Sequence, residues 1–346
     1  MASVATEAAP LTVTAREPGA HERGTPLRVI QAHLGLATLR ELRRTDNVTN
    51  LRHLAADWLA IAAAVTVSAR LGSALALAAA VIVVGSRQRA LMNLLHQASH
   101  GQLFADRTAN RWCGRLLLAF PLAMSLDAYR RTHLVHHRHL WDDARDPKTL
   151  RYAALGLARA PRRVSRFALR HLLGALALLH VPFNVAVALR ASGAPRGERA
   201  ALVAFWGVVV TVAALTGTAW ELLVYWALPY VTTFQVIRYW SETAEHAGLR
   251  SPDAWLATRN WTSSGPVRWL LAPHSDSYHL AHHLVPSVPH YRLTRLHAEL
   301  MRIPEYAAGH HCDGFVIPRR PEAPSVVQDI CRPGEPRRHR PEARAA

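Results

Sequence analysis

The chain has 346 residues, half of them apolar, and carries 41 Lys and Arg against 24 Asp and Glu, a formal charge of +17. That apolar content is ample for a core and excludes a wholly disordered chain. Histidine is in excess, with 21 residues against three cysteines, so imidazole is the expected carrier of any metal or acid–base chemistry.

Met1 to Pro10 lack a basic start followed by an apolar run, so no cleaved secretory signal is visible, and membrane insertion is expected to rely on internal segments. Residues 1–50, with Pro10, Pro18 and Pro26, read as a flexible polar arm leading into a short helix around Leu27 to Leu42. Two apolar stretches follow, Trp58 to Ala69 and Ala74 to Val84, each shorter than the roughly 20 residues that cross a bilayer. Extended back to Leu51 and forward to Leu95, they make two spans joined by a tight turn at Gly72. Leu172 to Leu189 contains His180, Pro182 and Asn184 and follows Arg162, Arg163, Arg166 and Arg170. Such a pattern suits a helix lying in the membrane interface at least as well as a span.

Ala200 to Ile237 is 38 residues with Glu221 as its one charged member, enough for two passes turning near Gly217 to Trp220. Trp206, Trp220, Tyr225, Trp226 and Tyr230 are placed to anchor these passes at the interfaces. From Ile317 onward six prolines and seven arginines predict disorder. The expected organisation is therefore an arm over 1–50, a membrane domain over 51–310 and a Pro/Arg-rich disordered tail over 311–346. Cys113, Cys312 and Cys331 are odd in number and lack C-x-x-C spacing, which supports neither a disulfide framework nor a thiolate zinc site.

Three histidine clusters stand beside the apolar segments: His96 and His100; His133, His136 and His137; His279, His282 and His283. Spacings of i, i+3 and i+4 put each cluster on one helix face, aimed at one point. Eight imidazoles exceed the three or four ligands a zinc ion takes. They suit two transition-metal ions, iron being the natural candidate for so many nitrogen donors. His246 would be a ninth ligand, and Glu242 and Glu245 just before it are placed to accept from ring N–H groups, with Asp146 offsetting further charge. The plain alternative is a set of exposed helical imidazoles holding no metal. His274 and His290 flank the third cluster and read as loop residues.

Between Asp127 and Arg170 stand eleven Arg and Lys against four acids, which places the second cluster on the cytoplasmic side. Nucleic-acid binding would want a basic face with stacking aromatics on a soluble module, whereas this charge brackets apolar segments. For all nine ligands to meet, an even number of crossings must separate His137 from His246. With Ala200 to Ile237 as a hairpin and Leu172 to Leu189 in the interface, about four transmembrane helices result.

These motifs resemble the membrane fatty-acid desaturase and hydroxylase superfamily, whose H-x3-H, H-x2-H-H and H-x2-H-H boxes are matched by the three clusters. Tyr278 to Pro289 is similar to the third box with its downstream prolines, His133 to Pro147 to the second, and Glu245-His246-Ala247-Gly248 to the E-H-x-G element of the alkane-hydroxylase branch. The resemblance covers roughly residues 55 to 300. It implies an all-α integral membrane protein of the cytoplasmic (inner) membrane, with a cytoplasmic helical cap around a non-haem diiron site. Two Fe ions, with O2 as co-substrate, would attack an unactivated C–H bond. The expected activity is desaturation of a fatty-acyl lipid or acyl thioester. Alternatives are a diiron hydroxylase of an alkyl or specialised-metabolite substrate, which the E-H-A-G element favours, and a non-enzymatic membrane metal-binding or transport protein. The first box has three intervening residues, unlike the four of acyl-CoA Δ9 desaturases. An H-P-G-G cytochrome b5 core is absent from this sequence, so electrons are expected from a ferredoxin-type donor with its reductase, its acidic surface meeting the basic one here.

Overall fold

Two apolar runs become a helical hairpin because the residues between them cannot continue a helix. In the computed structural model, which describes residues 20–159, 161, 163–184 and 193–331, α2 (Asn47–Leu71) ends at Gly72 with φ of 59° and α3 (Ala74–Ser99) begins at once. Glycine takes that left-handed conformation without a Cβ clash. Asp46 caps α2 by accepting from the Val48 and Thr49 N–H groups, and Ser73 caps α3 by accepting from Ala76 N–H. Leu59, Val67, Leu71 and Leu75 stand more than half exposed along the hairpin, as residues facing lipid would.

α3 changes character along its length. From Val84 to Ser99 every residue is buried, including Ser86, Arg87, Gln88, Arg89, Asn93 and His96. Buried guanidinium groups need partners, and both find them: Arg87 on Asp57 and Arg89 on Glu245 and Asp276.

The second expected hairpin is present in part. Helix Arg196–Leu215 is long, apolar and largely exposed, and the chain turns at Gly217 with φ of 73°. The returning limb, Ala219–Val231, carries a π-helical stretch at Leu223–Ala227 and breaks at Thr232 (φ −114°, ψ −93°) before helix Thr233–His246 begins. Pro229, which lacks an N–H, accounts for the disturbed hydrogen-bond ladder. Among the described residues three helices are long and apolar enough to cross a membrane: α2, α3 and Arg196–Leu215. Over Leu172 to Asn184 the chain forms only short pieces with a turn at Leu178 (φ 58°), and residues 185–189 lie outside the described set.

Helix Thr233–His246 lies against α3 at Gly85. A Cβ there would come within 2.6 Å of Thr233 Cβ and 2.8 Å of Phe234 N, so only glycine permits this approach. At the chain start, α1 (Ala20–Arg43) places Ile30, Leu39 and Leu42 in one core with Leu280, Val285, Leu293 and Leu296, so the short helix expected in the arm is part of the packed body. Residues 1–19 lie outside the described set.

The tail departs from expectation. Within residues 311–331, expected to be disordered, strand β2 (His310–Asp313) pairs in parallel with β1 (Arg259–Thr262), and helix Val326–Cys331 buries Val326, Val327 and Ile330 against Trp261 and Phe315. Those apolar residues, and the pairing of Asp329 with fully buried Arg259, outweigh the composition of the segment. Residues 332–346 lie outside the described set.

Candidate metal centre

Each histidine cluster is held by a helix whose end is fixed from elsewhere in the chain. The second occupies helix Leu126–His139, capped by Ser125, and Glu198 from helix Arg196–Leu215 accepts from Leu126 N–H at 2.9 Å. A carboxylate at a helix N-terminus satisfies free N–H groups and complements the dipole. The third occupies helix His279–Leu284, where Asn260 of β1 accepts from Leu280 and Ala281 N–H at 2.9 and 3.2 Å. His246 ends helix Thr233–His246, and the carbonyls of Ala244 in its last turn and of Ala247 just beyond it receive the Arg259 guanidinium at 2.7 and 3.2 Å.

All nine predicted histidines converge, in two adjoining groups. His96, His100, His133, His137 and His282 form the first, and His136, His246 and His283 the second, with His279 joined to His246 and His283. Within the groups Nε2 faces Nε2: His100 lies 3.2 Å from His96 and 2.9 Å from His133, and His282 lies 3.1 Å from His137. His279 lies 2.9 Å from His246 and 3.0 Å from His283.

One ring nitrogen offers one proton or one lone pair, so neither His100 nor His279 can satisfy two Nε2 neighbours by ordinary hydrogen bonds. A cation between them resolves the conflict. With metal–nitrogen bonds of about 2.1 Å, ligands at right angles stand about 3.0 Å apart, the spacing seen here. His136 Nε2 is buried with no hydrogen-bond partner, its ring 5.0 Å from His246 and 5.2 Å from His283. Burial, reinforced by neighbouring imidazoles, holds His133, His137, His246, His279 and His283 well below the usual histidine range. Burial pushes His136 down to about 4 against the pull of Asp146. Neutral rings at pH 7 are the form that binds metal.

The three acids separate. Asp146, 2% exposed, accepts from His136 Nδ1–H at 3.0 Å, from Trp141 and Lys148 N–H at 3.1 and 2.9 Å, and from Thr149 Oγ1–H at 3.1 Å. It thereby fixes the His136 tautomer with Nε2 free to donate its lone pair. Glu242 does not accept from a ring N–H as expected, because Arg151 at 2.5 Å and Arg238 at 3.1 Å take both its oxygens. Burial would raise Glu242, but these two arginines hold it well below the usual carboxylate range. Glu245 pairs with Arg89 at 3.3 Å and stands 3.6 Å from His279 Nε2, the nitrogen turned into the cluster rather than the outer one. It therefore belongs with the inward-facing donors Glu245, His246 and His279, and not with outer acceptors. The Nδ1 atoms of His133, His246 and His282 are buried without hydrogen-bond partners among the described residues.

Several site residues were not singled out from the sequence. Tyr129 stacks on His133 at 5.5 Å, Tyr152 lies 5.4 Å from His246, and Asp276 joins Arg89 beside Glu245. Lys148, the chain's one lysine, is lowered by burial against the opposing pull of Glu242, Glu245 and Asp146. The charged run Ser86 to Arg89 inside an apolar helix was the available signal. Other histidines have ordinary partners: His171 on Tyr239 Oη at 2.7 Å, and His180 on the Gln235 carbonyl at 3.0 Å.

Comparison with known proteins adds two findings. A sequence profile described as "Fatty acid desaturase" matches residues 71–314. The curated protein dihydrorhizobitoxine desaturase of Bradyrhizobium elkanii is 29% identical over 302 residues, covering 83% of this chain and 85% of the relative.

Proposed function

We propose that this chain, which belongs to the fatty acid desaturase family and is an oxidoreductase of the desaturase kind, uses O2 and two iron ions to introduce a C=C bond into a fatty-acyl lipid or acyl thioester. The observation that carries the reading is the convergence of nine imidazoles into two adjoining groups. His96, His100, His133, His137 and His282 would hold one iron, and His136, His246, His279 and His283 the other. When bound, the iron pair supplies with O2 the oxidising power to break an unactivated C–H bond, which side-chain acids and bases lack.

The chain's own residues position and shield that centre. Asp146 keeps the proton of His136 on Nδ1. Arg89, tied to Glu245 and Asp276, fixes the position of two acids beside the cluster. Leu91, Leu94, Leu95 and Ala98 pack with Leu54, Leu118 and Leu126 and so seat the helix that carries His96. In this reading the returning limb runs on past the break at Thr232 to Ile237, a length close to the ~20 residues a crossing needs, and makes the fourth crossing, while residues 172–184 lie in the interface, so the boxes share the cytoplasmic face of the inner membrane. Exposed Arg130, Arg131, Arg138 and Arg145 around the second box would receive a ferredoxin-type donor, itself served by its reductase.

A second reading keeps the reaction and changes the substrate to a small specialised metabolite. The similarity to dihydrorhizobitoxine desaturase favours it. Both are tested by mass spectrometry of lipids and metabolites from cells expressing wild type and His136→Ala. Loss of two mass units from one wild-type species, absent in the variant, supports desaturation and names the substrate class. A gain of sixteen assigns a hydroxylase instead. Product that persists in His136→Ala refutes the iron assignment.

A further inference from the structure

Another cluster of imidazoles lies outside the nine. His53 on α2, His274 and His290 come from three distant segments, yet their ring centroids form a nearly regular triangle with sides of 5.1, 4.9 and 5.0 Å. The same 5.0 Å separates His96 from His100 and His136 from His246. One ring nitrogen of each lies within 4.8 Å of the other two. A cation at the centre of that triangle stands within about 3 Å of all three donors, so a movement of about 1 Å per ring reaches bonding distance.

We propose that His53, His274 and His290 form a third metal site, for a divalent cation that favours imidazole, zinc first among them. Asp57, one turn beyond His53, accepts from His274 Nε2–H at 2.6 Å, while Arg87 holds its other oxygen at 3.0 Å. Asp146 treats His136 in the same way: the carboxylate fixes the tautomer and leaves the other nitrogen a lone pair. Because Arg87 balances Asp57, the cation meets three neutral nitrogens, the ligand set of zinc sites that complete four-coordination with water. His290 is 2% exposed, its Nδ1 meets no partner, and its Nε2 faces His53 Nδ1 at 3.1 Å. His274 has a left-handed backbone, with φ of 59° and ψ of 37°, and Ser275 follows it at φ of 57°. Non-glycine residues persist in that conformation where the surroundings hold a side chain for use.

A cavity of about 10 Å³, room for one water, lies between the two clusters, lined by His274 and His290 on one side and by His96, His279 and His282 on the other. The third metal therefore ties the start of α2 to both flanks of the third histidine box. The proposal rests on residues other than the nine and stands apart from the iron assignment.

The test counts metal in the full-length chain, purified in detergent, iron-loaded and then dialysed against micromolar zinc. Mass spectrometry of the elements should find two equivalents of iron and one of zinc in wild type. His53→Ala and His290→Ala should each lose the zinc equivalent and keep the iron. His53 is half-buried, so its variant decides the matter should His290→Ala fail to fold. Wild type that takes up no zinc beyond its iron overturns the proposal, and so does a zinc equivalent that survives in the His53→Ala variant, which marks an adventitious ion only.

Discussion

Replacing Asp146 by Asn and by Ala separates its two duties. One carboxylate oxygen accepts from His136 Nδ1–H and from Lys148 N–H at 3.0 and 2.9 Å, and the other accepts from Trp141 N–H at 3.1 Å. Asn keeps one acceptor oxygen, so the Trp141 N–H loses its partner, at about 1–3 kcal/mol. It still accepts from His136 but no longer carries the charge that makes the ring a better donor, and loss of such a partner weakens metal binding about 10–100-fold. Ala removes both duties. It costs the cap of helix Pro147–Leu155, which is the bond from Lys148 N–H, about 1 kcal/mol, and strands the Trp141 and Thr149 donors at about 1–3 kcal/mol each. The expected order is therefore a folded Asn variant that releases iron early to a chelator, and an Ala variant with a strongly lowered thermal midpoint. Chelator competition and thermal unfolding of the detergent-solubilised protein measure the two quantities. An Asn variant that holds iron as tightly as wild type refutes the argument that Asp146 tunes His136.

Three further outcomes are expected. Gly85→Ala drives a methyl group into Thr233 and the Phe234 backbone, so overpacking of about 1–3 kcal/mol should exceed the gain in helix propensity of about 1 kcal/mol; a lower melting temperature with iron loss is expected, and a more stable variant refutes the close approach. Asp329 is raised by burial but lowered further by Arg259 and His310, so its net shift is downward. Its folded value lies below the unfolded value of about 3.9, so its contribution is present above that pH and lost as pH falls below it. Asp329→Asn should destabilise the protein by about 3–5 kcal/mol at pH 7 and flatten the acid limb of the stability curve, and an unchanged curve in urea titrations from pH 5 to 3 contradicts this. Turnover with an acidic ferredoxin should fall steeply with ionic strength, since the exposed arginines around the second box are screened by salt; a salt-independent rate refutes that docking surface.

The three boxes were legible because helical spacing alone puts His96 and His100, or His279, His282 and His283, on one face. The turn at Gly72 was legible for a similar reason: a glycine between apolar runs of hairpin length. Partner choice was not. Sequence placed Glu242 and Glu245 next to His246, but Arg151 reaches Glu242 from a distant helix and, with Arg238 one turn back on the same helix, decides its role. The His53, His274 and His290 triangle has no spacing to read, since it forms only when α2 packs beside the third box. In the tail, composition counted prolines and arginines and so hid Val326, Val327 and Ile330, whose apolar area decides the outcome.

Helix Val326–Cys331 follows every candidate ligand in chain order and still bears on the site. Asp329 steadies Arg259, and Arg259 clamps the carbonyls that end the helix bearing His246. The orientation of His246 thus depends on a segment that contributes no imidazole of its own, so a change confined to the Asp329–Arg259 pair would loosen the end of that helix while each histidine box kept its own helix.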